Sequence, residues 1–323
     1  MCTAITFTAD SHYFGRNLDL EFSYGESVVI TPRRFPFVFR NGRSLDEHLA
    51  FIGAATVVDG YPLYYDATNE AGLSMAALNF VGNVHFYPPK NDGTDIAQFE
   101  FIPFILGSCK SVPEALDALD RVNLVATPFS PELPPSELHY MIADRERSIV
   151  VEPMKEGVRI YESRVGVLTN NPPFPYQLEH LAMYLNLSAD EPQNRFSQRL
   201  DITPSSRGMG AYGLPGDDSS PSRFVRAAFT LLNSVKPSSE AESVSQFFHI
   251  LSAVEQVEGR VKVKDKLERT QYSSCCNTDT GVYYYRTYQN SRISAVKLHS
   301  CELDGDRIRI FPFMLTEDVK FEN

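Results

Sequence analysis

Strand-forming segments in this chain come in blocks, and that arrangement constrains its fold more than any single motif. Alternating or β-branched runs fall at 3–7, 13–20, 27–31, 37–40, 51–58, 63–66 and 73–79, so the opening block reads as mostly β. A second block covers 138–143, 148–151, 158–161 and 165–169, and a third covers 269–275, 282–288, 293–298 and 307–311. Parallel neighbours each need a crossover, usually a helix, so runs of consecutive strands predict antiparallel sheets and not alternating βαβ units. Helices are predicted between the blocks. Ser111 and Glu114 stand as a capping box ahead of Ala115, Leu116 and Leu119, residues 176–187 read as helical, and Val244, Phe247, Phe248, Leu251, Val254 and Val257 fall at helical spacing. The expectation is an α+β chain, residues 1–323 forming one four-layer domain of stacked sheets with helices packed outside.

Two irregular stretches interrupt this pattern. Residues 125–137 hold four prolines with Phe129 and Leu133 between them, and 203–222 hold four glycines and three prolines. Ordered loops of this length in a compact protein are often functional, which suits a site mouth or a subunit contact.

Composition removes several function classes. The formal charge of -11 and the absence of a basic stripe exclude an extended nucleic-acid surface. No apolar run is long enough for a membrane-spanning helix, and the first twenty residues, with Asp10, Arg16 and Asp19, are unlike a secretory signal. Cys2, Cys109, Cys275, Cys276 and Cys301 are an odd number, which predicts reduced thiols in a cytoplasmic protein and leaves one free for chemistry.

Cys2 is the candidate. Its small side chain favours removal of Met1, which would place a thiol and a free α-amine on one residue. Their reference pKa values, about 8.5 and about 7.7 to 8.0, nearly balance proton transfer between them, so the amine can act as base for its own side chain. The second predicted strand brings Arg16 and Asp19 near the chain start, a guanidinium to favour the thiolate and a carboxylate to orient the ammonium. In a regular strand residues 16 and 19 point to opposite faces, so a bend or bulge between them is predicted. Other chemistries lack support. Cys275, Cys276, His299 and Cys301 suit a tetrahedral metal site poorly, because adjacent strand cysteines face opposite ways; core thiols are expected there, and no metal. No P-loop, His-Glu-x-x-His or Gly-x-Ser-x-Gly is present.

Several segments together resemble the choloylglycine hydrolases, the bile salt hydrolases and penicillin V acylases of the N-terminal-nucleophile superfamily. They are Met1-Cys2-Thr3-Ala4-Ile5, Tyr13 to Asp19, Ala76 to Phe80, Leu168 to Pro172, Ser206 to Gly210, Gly213 to Asp217, Ser222 to Arg226 and Tyr272 to Cys276, in order over nearly the whole chain. The resemblance implies a four-layer αββα sandwich of two antiparallel sheets between helical layers. It implies Cys2 as nucleophile, Arg16 and Asp19 in support, Asn170 at the oxyanion and Arg223 as the remaining active-site arginine. Asn79 takes a position that is typically Asn in bile salt hydrolases and Tyr in penicillin V acylases.

The function so implied is hydrolysis of glycine- or taurine-conjugated bile salts without a cofactor, with a penicillin V or related N-acyl acylase as the alternative. A non-catalytic binder of apolar ligands, with Met1 retained and Cys2 inert, is the reading from another class. A steroid acyl group needs an apolar pocket, for which Leu18, Leu20, Phe129 and Leu133 are the expected lining. The chain departs from the family in lacking Trp, with Phe104 and Tyr140 near positions usually held by it, and in having Ser205 before Ser-Arg-Gly-Met-Gly where Tyr is common. The first departure is expected to alter packing more than chemistry. The segment 203–222 resembles one that family members use in tetramer assembly, so a homotetramer is expected.

Overall fold

The computed structural model describes residues 1–323. Sheet one is built on an N-terminal hairpin, Cys2–Thr8 (β1) and His12–Leu20 (β2). Sheet two takes Ser27–Thr31 (β3), Phe51–Val58 (β4), Tyr61–Asn69 (β5), Ser74–Asn79 (β6), Leu138–Ala143 (β7), Ser148–Met154 (β8) and Gly157–Glu162 (β9). Val167–Leu168 (β10) returns to sheet one, followed by Lys266–Asn277 (β11), Val282–Thr287 (β12) and Asn290–Lys297 (β13), and Arg309–Pro312 (β14) closes sheet two.

Sheet one runs β10-β1-β2-β11-β12-β13, with Val261–Val263 beside β11, and sheet two runs β9-β8-β7-β6-β5-β4-β3-β14. Every pairing within them is antiparallel, as the strand blocks predicted. The segment read as a strand at 37–40 is shorter, Phe37–Val38, and pairs only with Ser44–Leu45 in a two-stranded ribbon.

Helices Phe101–Ser108 (α1) and Val112–Leu119 (α2) cover the outer face of sheet two. Phe174–Leu181 (α3), Ser220–Asn233 (α4) and Glu240–Ser252 (α5) follow, with α4 and α5 covering sheet one. The result is an αββα sandwich. One apolar cluster, including Ile5, Phe14, Ile52, Leu78 and Phe247, joins the facing sheets to α4 and α5; another, including Phe51, Met75, Ile105 and Tyr140, joins sheet two to α1 and α2.

Local chemistry explains the helix ends. The Ser111 hydroxyl accepts the Glu114 N–H at 3.4 Å, while Glu114 accepts the N–H of Lys110, so the capping box closes one residue early. The helix read at 176–187 is displaced: α3 starts at Phe174 behind Pro173, and its last turn tightens into a 3-10 segment at Ala182–Tyr184. Cys275 and Cys276 are buried on β11 with thiols pushed up by burial, Cys276 to about 12. All five cysteines are unpaired. No helix is long and apolar enough to cross a membrane.

Candidate active site

Strand β1 begins at Cys2, and its register against β2 sets the site. Cys2 lies opposite Leu18 and Ala4 opposite Arg16, so Cys2, Arg16 and Leu18 direct their side chains to one face while Thr3, Asn17 and Asp19 take the other. The face carrying Cys2 points into the sandwich: Arg16 Nη1 donates to the carbonyl of Tyr65 on β5 at 3.0 Å and to that of Ala77 on β6. The opposite face points toward the helices, where Asn17 Nδ2 donates to the Leu251 carbonyl of α5 at 3.0 Å. Gly15 permits the close pairing behind Arg16, because a Cβ there would stand 2.0 Å from the Ser274 carbonyl oxygen.

This geometry corrects the predicted bend in β2. The β1–β2 register is unbroken from Cys2 to Thr8, and the irregularity lies on the neighbouring β11, between Thr270 and Tyr272. No bend is needed, because the two side chains sit on opposite faces of the strand pair that carries Cys2. Arg16 lies on the thiol's face, and Asp19 lies beyond the chain start, where Met1 and Asp19 exchange backbone hydrogen bonds of 2.7 and 2.9 Å.

Each of the two charged groups keeps one unused atom. Arg16 is fully buried, and its Nη2 has no partner. Burial opposes its charge, but Cys2, Tyr272, Asp66 and Asp19 outweigh that and raise its pKa. Asp66, behind the guanidinium, accepts the hydroxyls of Tyr272 at 2.5 Å and Tyr283 at 2.7 Å, and burial raises its pKa against the pull of Arg16 and these hydroxyls. Asp19 accepts the Thr270 hydroxyl at 2.6 Å through Oδ1 while Oδ2 is unpaired. Burial raises the Asp19 pKa against the opposing pull of the terminal ammonium and Arg223. Orphaned buried polar atoms are uncommon in folded proteins, and each calls for an explanation.

Asn170, after β10, ties the site together. Its Oδ1 accepts the Cys2 N–H at 2.8 Å and Arg223 Nη2 at 2.7 Å, and its Nδ2 donates to the Asn79 carbonyl at 2.7 Å. Two donors on Oδ1 fix which way the amide faces, and Nδ2 retains a second hydrogen. Arg223, buried on α4, also donates through Nη1 to the Cys2 carbonyl and the Thr3 hydroxyl, each at 2.6 Å. It therefore clamps the backbone of the nucleophile and the amide of Asn170. Burial lowers its pKa, opposed by Asp19, Cys2 and Glu268. Asn79 ends β6 with its side chain half-buried.

Direct hydrogen bonds thus join Cys2, Asn170 and Arg223, Arg16 shares the thiol's face, Asp19 lies at the chain start and Asn79 enters through its backbone carbonyl, whereas the apolar candidates divide. Leu18 is buried beside Cys2 and Leu20 is half-buried at the end of β2. Phe129 and Leu133 form a separate flap, closed by the Phe129 N–H on the Leu133 carbonyl at 3.1 Å, with Phe129 packed on Tyr61 and Phe99. Phe104 and Tyr140 pack on Phe39 and Phe101 in the outer cluster, on the far side of sheet two from Cys2.

Sequence reasoning missed Glu268. Its buried carboxylate binds the Met1 ammonium at 2.5 Å. The only signal was a glutamate in a strand that pairs, one strand over, with the chain start.

Residues 2–311 match the linear amide C–N hydrolases, choloylglycine hydrolase family. The chain is 53% identical over 313 residues to the bile salt hydrolase/transferase of Lactiplantibacillus plantarum, covering 97% of each. It is 36% identical over 330 residues to the bile salt hydrolase/transferase of Clostridium perfringens, covering 100% of each. Among solved structures, the C2A mutant of the conjugated bile acid hydrolase from Clostridium perfringens superposes with a TM-score of 0.92 at 35% identity over 100% of both chains. Penicillin V acylase from Agrobacterium tumefaciens shares the fold, with a TM-score of 0.75 at 18% identity over 96% of this chain and 90% of that one.

Proposed function

Because the chain belongs to the choloylglycine hydrolase family of linear amide C–N hydrolases, we propose that it cleaves the amide of glycine- or taurine-conjugated bile salts through Cys2. What supports this reading is Cys2 at the head of a buried strand, with Arg16 on its face of the hairpin and Asp19 beside the chain start, each of the two keeping one unpaired side-chain atom. The mature chain begins at Cys2. Loss of Met1 turns the nitrogen held by Asn170 into an α-amine and removes the cation on Glu268.

The thiol proton passes to that amine, and the thiolate, favoured by Arg16, attacks the substrate carbonyl. A C–S bond forms and the carbonyl oxygen becomes an oxyanion. The remaining Nδ2 hydrogen of Asn170 and the side-chain amide of Asn79 are the donors for it, each worth roughly 3 to 4 kcal/mol when aligned in advance. The α-ammonium, oriented by Asp19 and Asn170, returns its proton to glycine or taurine as the C–N bond breaks. Water then attacks the thioester, giving free bile acid and the thiol again. Leu18 and Leu20 are the proposed lining next to the thiol, with Phe129 and Leu133 on their separate flap as the proposed outer wall of the steroid pocket.

Residues 1–323, less Met1 in the mature form, act as one domain, in a homotetramer, in the cytoplasm. Exposed apolar side chains between α3 and α4, among them Met183, Leu185, Phe196 and Tyr212, support a subunit contact, and the unpaired cysteines suit a reducing compartment.

Purified protein given equimolar glycocholate, taurocholate and penicillin V tests the assignment, with products followed by mass spectrometry. Predominant release of cholate is expected; predominant cleavage of penicillin V would overturn the substrate assignment and discredit Asn79 as a guide to it.

A further inference from the structure

Another polar constellation lies inside sheet two, outside the residues that the mechanism uses. His139 on β7 and Glu152 on β8 are both fully buried. They extend the ladder that pairs Tyr140 with Val151, and His139 Nδ1 stands 3.1 Å from Glu152 Oε1. Nε2 stands 2.8 Å from the carbonyl of Thr169, the residue before Asn170. A carbonyl only accepts, so Nε2 donates. Glu152 Oε1 also accepts the Phe174 N–H, at 2.9 Å. The other carboxylate oxygen, Oε2, has no partner.

Such a pair is expensive to bury, and an apolar pair of similar volume would cost less. What it touches accounts for its presence. The ring of Phe80, next to Asn79, lies flat on His139 with centroids 4.3 Å apart and planes 4° from parallel. His139 Nε2 fixes the Thr169 carbonyl, and Glu152 fixes the first N–H of α3. One turn into that helix, Gln177 donates to the Asn170 carbonyl at 3.2 Å, while the Ser220 hydroxyl accepts the Asn170 N–H at 2.8 Å. The pair thus braces the segments that deliver Asn79 and Asn170, and braces α3, which holds Asn170 from behind.

We propose that His139 and Glu152 are positioning residues for the oxyanion donors, setting the Thr169–Asn170 and Asn79–Phe80 segments at the separation the tetrahedral intermediate needs. The inference rests on the reading of Asn170 and Asn79 as oxyanion donors. Misplacing such groups by about 1 Å costs about 100-fold in rate, while substrate binding, which lies elsewhere, is little affected.

The experiment compares two reactions of the same thiol. Alkylation of Cys2 by iodoacetamide needs the thiolate but no oxyanion donor, whereas amide turnover needs both. His139→Leu is expected to lower kcat about 100-fold with KM within about threefold and the alkylation rate within about twofold of the parent. His139→Gln, which keeps an N–H for the Thr169 carbonyl, is expected to recover kcat to within about tenfold of the parent. Parental turnover in His139→Leu, or turnover and alkylation falling together, would overturn the proposal. If His139→Leu does not fold, Phe80→Leu carries the test: a kcat drop of about threefold to tenfold with unchanged alkylation supports it, and no drop overturns it. Asn170→Ala runs in parallel. Parental turnover there would sink the oxyanion reading itself, while an inactive Asn170→Ala beside a fully active His139→Leu would sink only the brace.

Discussion

The two ends of the β1–β2 hairpin bury polar side chains to the same degree and treat them differently. At the open end Arg16 Nη2 and Asp19 Oδ2 are buried without partners. At the turn end His12 is equally buried, yet its Nε2 meets the Thr6 hydroxyl at 2.6 Å and its Nδ1 the Thr278 hydroxyl at 2.9 Å. One strand, β2, carries both arrangements within its nine residues. The satisfied His12 at the turn end serves the fold, whereas the two unpaired atoms at the open end are free for the new amine and the substrate of the proposed mechanism. If that distinction is right, substitutions at the open end will change chemistry and spare stability, and substitutions at the turn end will do the reverse.

The largest effect is expected at Cys2. Cys2→Ala removes the nucleophile, so turnover of conjugated bile salts should vanish while the midpoint of thermal unfolding stays near the parent's, the lost sulfur being one small atom of a large core. Normal turnover would end the mechanism. An unfolded protein would place Cys2 with the fold and erase the contrast between the two ends.

Asp19→Asn should follow, with kcat down about 100-fold, the range for losing a group that orients a general acid or base. The exchange is nearly isosteric and keeps an acceptor for the Thr270 hydroxyl. Burial already strains the charge of Asp19, so neutralising it should leave stability level or raise it. A drop in chemical-denaturation midpoint with unchanged kcat would put Asp19 with the fold.

How far the sequence foretold this follows the same line. The hairpin, the strand blocks and α5 as far as Ser252 were legible because their apolar spacing is local, while Val254 and Val257, read on the same helical face, lie past its end and Val257 is exposed. Helix α1 was not, because Phe101–Ser108 is apolar on nearly every side and shows no amphipathic period. Helix α4 was hidden behind the glycine- and proline-rich run before it, although Ser219 followed by Pro221 is a helix-start signal. In the site, Cys2, Arg16 and Asp19 could be argued from one hairpin. Asn79, Asn170 and Arg223 came only from resemblance, since nothing local relates positions so far apart. Glu268 and the His139–Glu152 pair had no such help: each acquires meaning only through partners brought in by neighbouring strands.

The smallest effect on activity, and the clearest on stability, is expected at the turn end. Burial lowers the His12 pKa from 6.5 to about 4, against the pull of Asp279 and Asp144. A depressed pKa means that the unfolded chain takes up the proton first as pH falls. The contribution of neutral His12 is therefore intact above about pH 6.5 and is lost progressively as pH drops toward 4. Between pH 7 and pH 5 this one residue should account for about 2 kcal/mol of lost stability, at 1.36 kcal/mol per pKa unit. His12→Gln cannot titrate, so its guanidinium midpoint should shift less between those two pH values than the parent's, with bile salt turnover within about twofold because Cys2 stands at the other end of the strand pair. Equal shifts in both proteins would mean that His12 is not held neutral, and the turn end would lose its standing as the purely structural half of the hairpin.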